Sequence, residues 1–441
     1  MRYFDSELER AQPETIRGLQ LERVKSLLEK TWEVNKFYRD YWRSAGVDLG
    51  DINTLEDFSY RIPTVEKRHF VEDQFESPPY GRRLEHAMSL GEPLVICHTS
   101  GTSGQGQEVH AQTAAEFTQT QQVYAYGLRW AGLQRGDAVF LTMPITLMSG
   151  GRCEYHGALG YGLTVYTAGN YDVHQKLDLL RRFQPVALFG TTSYFAHLAA
   201  VSDQSPPSQG MGTLLTGGEH AGFAWLERLE AQWGAKVFDR YGSTQSGNDH
   251  AFACEHGIGT REHLGTLHNI DPFHIVEVVD SETGRHVQHG EAGEVVMTSL
   301  YRTDTPAIRV RLRDRAIWHE PGSCRCARPF SGLEMCSIGR VDDMKKVKGV
   351  NIWPQAVDDA MFAIDEVDEY QVVLSSDRVA ADVATVKVMP KTQVVEDSFT
   401  GRVASSLRAR IGINFIVELV PEGTLKHSEF KARRWIDERH R

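Results

Sequence analysis

Ala138-Val139-Phe140-Leu141, Leu163-Thr164-Val165-Tyr166 and Val186-Ala187-Leu188-Phe189 are three short apolar runs, rich in β-branched and aromatic residues. Runs of this length and composition predict buried strands. Between the second and third, Val173, Leu177 and Leu180 fall at helical spacing, which predicts a helix over Val173 to Phe183. Strands alternating with helices make βαβ units, so this part of the chain reads as α/β with a mostly parallel sheet. Upstream, Leu21, Val24, Leu27, Leu28 and Trp32 give one apolar face to a helix over Leu19 to Trp42, with a further short helical stretch from Phe37-Tyr38-Arg39. Downstream the pattern changes. Val276-Glu277-Val278-Val279 and Glu294-Val295-Val296-Met297 read as strands around the turn Ser281-Glu282-Thr283-Gly284. The last hundred or so residues hold Tyr370 to Leu374, Ala384 to Val388 and Ile416 to Leu419 as strands with helices between, a small α+β unit. A boundary near Gly339-Arg340 divides the chain into residues 1–338 and 339–441.

The 441 residues suffice for two or three domains with real cores. Lys and Arg number 48 against 59 Asp and Glu, a net charge of −11. An acidic chain with no basic tract argues against nucleic acid and membrane surfaces as partners. Met1 to Arg10 carries charges throughout, unlike a signal peptide, and no run approaches the ~18 apolar residues of a membrane span. Six cysteines in a chain this long do not predict a disulfide scaffold, and the cytoplasm is the expected compartment.

Five segments carry candidate chemistry. Thr99-Ser100-Gly101-Thr102-Ser103-Gly104 follows the apolar run Leu94 to Cys97, and a strand feeding a loop of glycines and hydroxyls lets backbone N–H groups approach phosphate. It lacks the Gly-Lys-Ser/Thr ending of a Walker loop. The others are Asp239-Arg240-Tyr241-Gly242-Ser243-Thr244-Gln245, Thr305 to Asp314, Gly339 to Pro354, and Ser428-Glu429-Phe430-Lys431-Ala432-Arg433-Arg434. Each alone is equally compatible with a turn or a solvated charged face.

In this order, the five segments resemble the acyl-adenylate-forming superfamily and, within it, the phenylacetate–CoA ligase branch. The resemblance runs over nearly the whole chain, including Leu21-Glu22-Arg23, Phe37-Tyr38-Arg39 and Ile62-Pro63-Thr64-Val65-Glu66-Lys67, and Gly339 to Pro354 is its most specific part. It implies a large N-terminal adenylate-forming domain and a small mobile C-terminal domain. The implied reaction joins a carboxylic acid, aromatic in most of this branch, to AMP from ATP and then passes the acyl group to coenzyme A. Transfer to a carrier-protein phosphopantetheine or to an amine is the alternative. A non-catalytic nucleotide-binding protein is a further one, kept open by two departures from the family pattern. Gln105-Gly106 stands where Lys-Pro is usual, and Gln245 stands where a magnesium-binding Glu is usual.

The resemblance also assigns roles. Thr99, Ser100, Gly101, Thr102, Ser103 and Gly104 hold the ATP phosphates. Gly218 and Glu219, within Gly217-Gly218-Glu219, line the adenine site; Tyr241, followed by Gly242, stacks on adenine. Thr244 contacts the α-phosphate, Asp314 the ribose hydroxyls, and Arg340 the ribose or phosphate. Asp342 is the hinge, Lys348 and Gly349 face the thiol tunnel after domain rotation, and Lys431 is the catalytic lysine. The acid lies near Met148 to Gly151, Phe189 to Tyr194 and Gly217 to Ala221. Magnesium arrives with ATP, and an amide oxygen at 245 is a weaker ligand than a carboxylate, so Gln245→Glu is expected to ease magnesium binding. Cys254, Cys324 and Cys326 with His268, or with His256 as the rival, match the position of a structural zinc found in some members. The implied partners are a small carboxylic acid and coenzyme A or a carrier-protein thiol, and a homodimer is left open.

Overall fold

The three apolar runs around residues 138–189 become neighbouring parallel strands. Ala138–Leu141 lies between Thr164–Thr167 and Ala187–Gly190, with Val139 opposite both Val165 and Ala187. The intervening helix spans Val173–Phe183, with Asp172 capping its first turn by accepting from the Gln175 N–H at 2.9 Å. The parallel series continues through Thr213–Gly217 and Lys236–Ser243. These observations come from a computed structural model that describes residues 2–99, 106–376, 382–392, 394–427 and 433–439.

The α/β class holds, and the sheet is mixed rather than mostly parallel. After Lys236–Ser243 the sheet runs antiparallel through Asn248–Ala253, Thr266–Asn269, Gly332–Glu334, Val310–His319, Ala292–Ser299 and His274–Val279. Connections without a crossover helix cannot return a strand in parallel, and the Asp280–Gly284 turn is one such connection. Near the N-terminus the helical pattern divides into Pro13–Val34 and Lys36–Ser44. The break falls at Asn35, whose side-chain oxygen accepts from the Tyr38 N–H and so starts the second helix.

Leu94–His98 and Val109–Thr113 pair antiparallel as a separate ribbon, and the glycine- and hydroxyl-rich segment joins their ends. Gly339–Arg340 adds to the large sheet by pairing with Val310–His319. Beyond it come a hairpin, Lys345–Val347 with Val350–Ile352, and a four-stranded sheet of Ile416–Leu419, Asp382–Pro390, Val367–Ser376 and Trp435–Asp437 in that order. Helices Pro354–Phe362 and Glu396–Ile411 cover this smaller sheet.

Helix Phe223–Trp233 of the large part seats the small part. The Asp359 carboxylate accepts from the Ala224 N–H at 2.9 Å, and Arg228 donates to the carbonyls of Ile364 and Val367 at 2.8 and 2.7 Å. Trp225 stacks on Phe362 with ring centroids 5.0 Å apart, and the Arg434 guanidinium lies 4.2 Å above the Trp225 ring. Among the described residues no helix is long and apolar enough to cross a membrane.

Candidate active site

A cleft of about 970 Å³ opens where the parallel strands end and the small part docks. Ligands of α/β sheets bind beyond the carboxyl ends of parallel strands, because loops diverge there and leave room. Thr99, Gly218, Glu219, Tyr241, Gly242, Thr244, Asp314, Arg340 and Asp342 all line it. The strand Lys236–Ser243 delivers Tyr241 and Gly242 to the rim, and a turn carries Thr244. Gly242 is required by crowding: a Cβ there would meet the Asn248 carbonyl oxygen at 2.3 Å.

Tyr241, Asp314 and Arg340 form one group. The Tyr241 hydroxyl donates to Asp314 Oδ2 at 2.7 Å, and an Arg340 guanidinium nitrogen stands 3.3 Å from Oδ1. The antiparallel register sets Asp314 opposite Arg340. Oδ1 is buried and makes no hydrogen bond among the described residues, so the carboxylate keeps an acceptor in reserve. Burial, then the Asp314 charge, pushes the Tyr241 phenol well above its ordinary range, and it stays a neutral donor.

Thr244 touches the Ser149 hydroxyl at 3.1 Å, at the first turn of helix Ser149–Tyr161. Glu219 accepts from the backbone N–H and the hydroxyl of Ser193 at 2.5 and 2.7 Å, at the first turn of helix Thr192–Val201. For the acid, Met148, Ser149, Gly150 and Gly218 to Ala221 line the cleft, as do Met143 and Trp225. Phe189 to Tyr194 do not; Phe189 is fully buried in the sheet core. Arg240, itself in the lining, pairs with Glu154 and Asp249.

Two residues to which the sequence pattern assigns no role stand beside these. Lys67 lines the cleft, 4.0 Å from Glu108 Oε1. Glu108 is fully buried, and its Oε2 accepts from Gln245 Nε2 and His110 Nε2, both at 2.8 Å. Burial alone would raise the Glu108 carboxyl, but the His110 hydrogen bond and the nearby charges hold it below its usual range. Burial pushes His110 down to about 4, so it contributes an N–H without a charge at neutral pH.

Ser100, Gly101, Thr102, Ser103 and Gly104, together with Lys431, fall outside the described residues. Lys348 and Gly349 form the tip of the Lys345–Ile352 hairpin, away from the cleft lining, with φ of 50° and 82°. Positive φ at both central residues is the two-residue turn that matches strand twist. Asp342 lines the rim, and its carboxylate accepts from Arg313 at 2.9 Å in an exposed pair.

A second cluster gathers Cys254, His268, Cys324 and Cys326, whose ligand atoms lie within 4.8 Å of one another. Cys326 Sγ is 3.2 Å from His268 Nε2, and Cys254 Sγ is 3.9 Å from Cys324 Sγ. A tetrahedral zinc with Zn–S near 2.3 Å separates sulfurs by roughly 3.8 Å, so the spacing fits. The other His268 nitrogen faces the Phe330 carbonyl at 3.4 Å, the usual outer support of a ligating imidazole. His256 is not in the cluster: it sits half-buried in the turn after Cys254, and the strand Thr266–Asn269 rather than that turn brings the histidine of the cluster.

The family model described as AMP-binding enzyme matches residues 50–301, more than half of the chain. The chain belongs to the AMP-binding enzyme family. A second model, for the AMP-binding enzyme C-terminal domain, matches residues 349–439. This AMP-binding enzyme is 28% identical to a phenylacetate-coenzyme A ligase of Pseudomonas putida, over 98% of its own length and 96% of that protein. It is 27% identical to a phenylacetate-coenzyme A ligase of Escherichia coli, over 98% and 97% of the two chains. Among solved structures it is similar to a 2-hydroxyisobutyryl-CoA ligase in its postadenylation state, with a TM-score of 0.90 at 26% identity, covering 99% and 93% of the chains. Against the same ligase in its thioesterification state the TM-score is 0.70 at 27% identity, over 98% and 91% of the chains.

Proposed function

We propose that this enzyme activates a small carboxylic acid with ATP and passes the acyl group to coenzyme A. One acid oxygen attacks the α-phosphorus, the bond to pyrophosphate breaks, and acyl-AMP forms. The thiol sulfur then attacks the acyl carbon, its proton leaves, and AMP departs. The observation that carries this reading is the convergence of Tyr241, Asp314, Arg340 and Thr244 on one cleft, with a buried Asp314 oxygen left to accept a ribose hydroxyl. Tyr241 offers its ring to adenine, and Thr244 offers a hydroxyl to the α-phosphate. The Thr244 hydroxyl and the Gln245 amide suit a hard cation as oxygen donors, and magnesium carried by ATP screens the phosphate charge there. Lys67 supplies a cation that the Gln105-Gly106 departure leaves out of the loop.

For the acid, we favour an aromatic ring. The phenylacetate-coenzyme A ligase relatives support it, and Met143, Met148, Ala221 and Trp225 offer the ring an apolar wall. A short 2-hydroxy acid is the second reading, favoured by the likeness to a 2-hydroxyisobutyryl-CoA ligase. The test is pyrophosphate release from ATP with a panel of aryl and 2-hydroxy acids, followed by mass detection of thioester. Acid-dependent pyrophosphate, and acyl-CoA only when coenzyme A is present, are expected. Acyl transfer to a carrier protein but not to coenzyme A would change the acceptor, and no acid-dependent release would end the reading.

The hinge is placed at Asp342, and the boundary expected at 338/339 is set just past Gly339–Arg340, because these two residues pair with the large sheet. Support comes from the higher TM-score against the postadenylation state than against the thioesterification state of one relative at nearly the same identity. In this reading, rotation about Asp342 brings the Lys348-Gly349 tip to the thiol. The cytoplasm suits the chemistry and the six unpaired cysteines.

Zinc is proposed for Cys254, His268, Cys324 and Cys326. Elemental analysis of protein purified without added metal is expected to give one zinc per chain, and less than about a tenth of an equivalent in folded protein would remove it. Cys324→Ser is expected to cost about 3 kcal/mol and to lower Tm by roughly 3–4 °C.

A further inference from the structure

The Gln245 side chain does not face the cleft freely. Its Nε2 donates to Glu108 Oε2 at 2.8 Å, and its backbone carbonyl accepts from Arg302 at 2.6 Å. A carboxylate only accepts, so it fixes which end of the amide it meets. The NH₂ end meets Glu108, which leaves the carbonyl oxygen as the end available to the cleft that Gln245 lines. Glu108 is itself held. Its backbone N–H donates to Thr99 Oγ1 and its carbonyl accepts from the Thr99 N–H, both at 3.0 Å. His110 Nε2 donates to the same carboxylate oxygen as Gln245, and Glu108 Oε1, buried, has no hydrogen-bond partner among the described residues.

We propose that Glu108 is a positioning residue for the nucleotide's magnesium: it aims the Gln245 carbonyl oxygen at the cation and ties that aim to the start of the phosphate loop at Thr99. The inference rests on the acyl-adenylating reading. It also replaces the simple expectation that Gln245→Glu eases magnesium binding. With Glu108 in contact, that change sets two carboxylates against each other. Exchanging the two residues, Glu108→Gln with Gln245→Glu, keeps the atoms and the charge and moves the carboxylate to the cleft.

The test is a double-mutant cycle on the full chain, read by calorimetric ATP binding with and without Mg²⁺ and no acid present. The readout is the factor by which Mg²⁺ tightens ATP. Glu108→Gln is expected to reduce this factor at least about fivefold, the scale of one hydrogen bond. Gln245→Glu alone is expected to reduce it as well, and the exchange, which turns a carboxylate to the cleft, to restore it to at least the wild-type value. A melting curve establishes that each variant is folded. An unchanged factor in Glu108→Gln, or a larger one in Gln245→Glu alone, overturns the proposal while leaving the function in place. If Glu108→Gln does not fold, the Gln245→Glu single variant and the exchange decide the matter by the same comparison. A wild type that binds no ATP under either condition overturns both this proposal and the function.

Discussion

Lys431→Ala is expected to lower acid-dependent pyrophosphate release by about 10²–10³-fold, the scale of removing one preorganised charge from a developing anion. The residue lies outside the described residues, so its assignment rests on the Ser428 to Arg434 segment and on where that segment ends. Arg434 and Trp435, three and four positions beyond Lys431, both line the cleft. The chain is therefore at the site within a short reach of Lys431. In the acyl-adenylating reading, the compact Lys431 ammonium offsets charge as the carboxylate meets the α-phosphorus. In the second half-reaction the proposed rotation about Asp342 exchanges this segment for the Lys348-Gly349 tip, so Lys431 is not called on. Preformed acyl-AMP with coenzyme A should give thioester at the wild-type rate, and the melting temperature should not move. Pyrophosphate release at the wild-type rate would remove the assignment.

Asp314→Ala should reduce kcat/KM for ATP by about 10²-fold, because hydrogen bonds from the ribose hydroxyls to a carboxylate are worth about 1.5–3 kcal/mol each. The substitution also strips Tyr241 of its acceptor at 2.7 Å, so a control is needed. Tyr241→Phe keeps the ring and the carboxylate and should lose no more than about tenfold. The decisive comparison uses 2′,3′-dideoxy-ATP, which has no ribose hydroxyls to donate. Wild type should disfavour it by nearly the factor that Asp314→Ala loses, and the variant should treat the two nucleotides alike. A variant that still prefers ATP by the wild-type factor would place the ribose elsewhere.

Much of this architecture was legible because its signals are local. Helix Val173–Phe183 carries its own cap at Asp172 and a regular apolar face, and the three strand runs are short, apolar and flanked by turns. Tyr241, Thr244, Asp314 and Arg340 were legible as segments in order, and the fold brings them to one cleft. The antiparallel half of the sheet was only partly legible, since Thr266–Asn269 and Gly332–Glu334 are too short to show a period. Glu108 was missed for a physical reason. Glu108, His110 and Gln112 alternate along an extended segment with Val109 and Ala111, the usual mark of a solvent-facing strand side. Here that side is buried against Gln245, Arg83 and Gly247. Choosing His268 over His256 needed the third dimension, because both lie within fifteen residues of Cys254.

The seat on helix Phe223–Trp233 has an uneven dependence on sequence. Arg228 grips the main-chain carbonyls of Ile364 and Val367, and carbonyls are present whatever side chains those positions carry. Drift in the small part therefore leaves this grip intact, whereas loss of one guanidinium on the helix removes both bonds together. A C-terminal part transplanted from a distant relative would find the same handhold waiting, provided its backbone followed the same path after the Pro354–Phe362 helix.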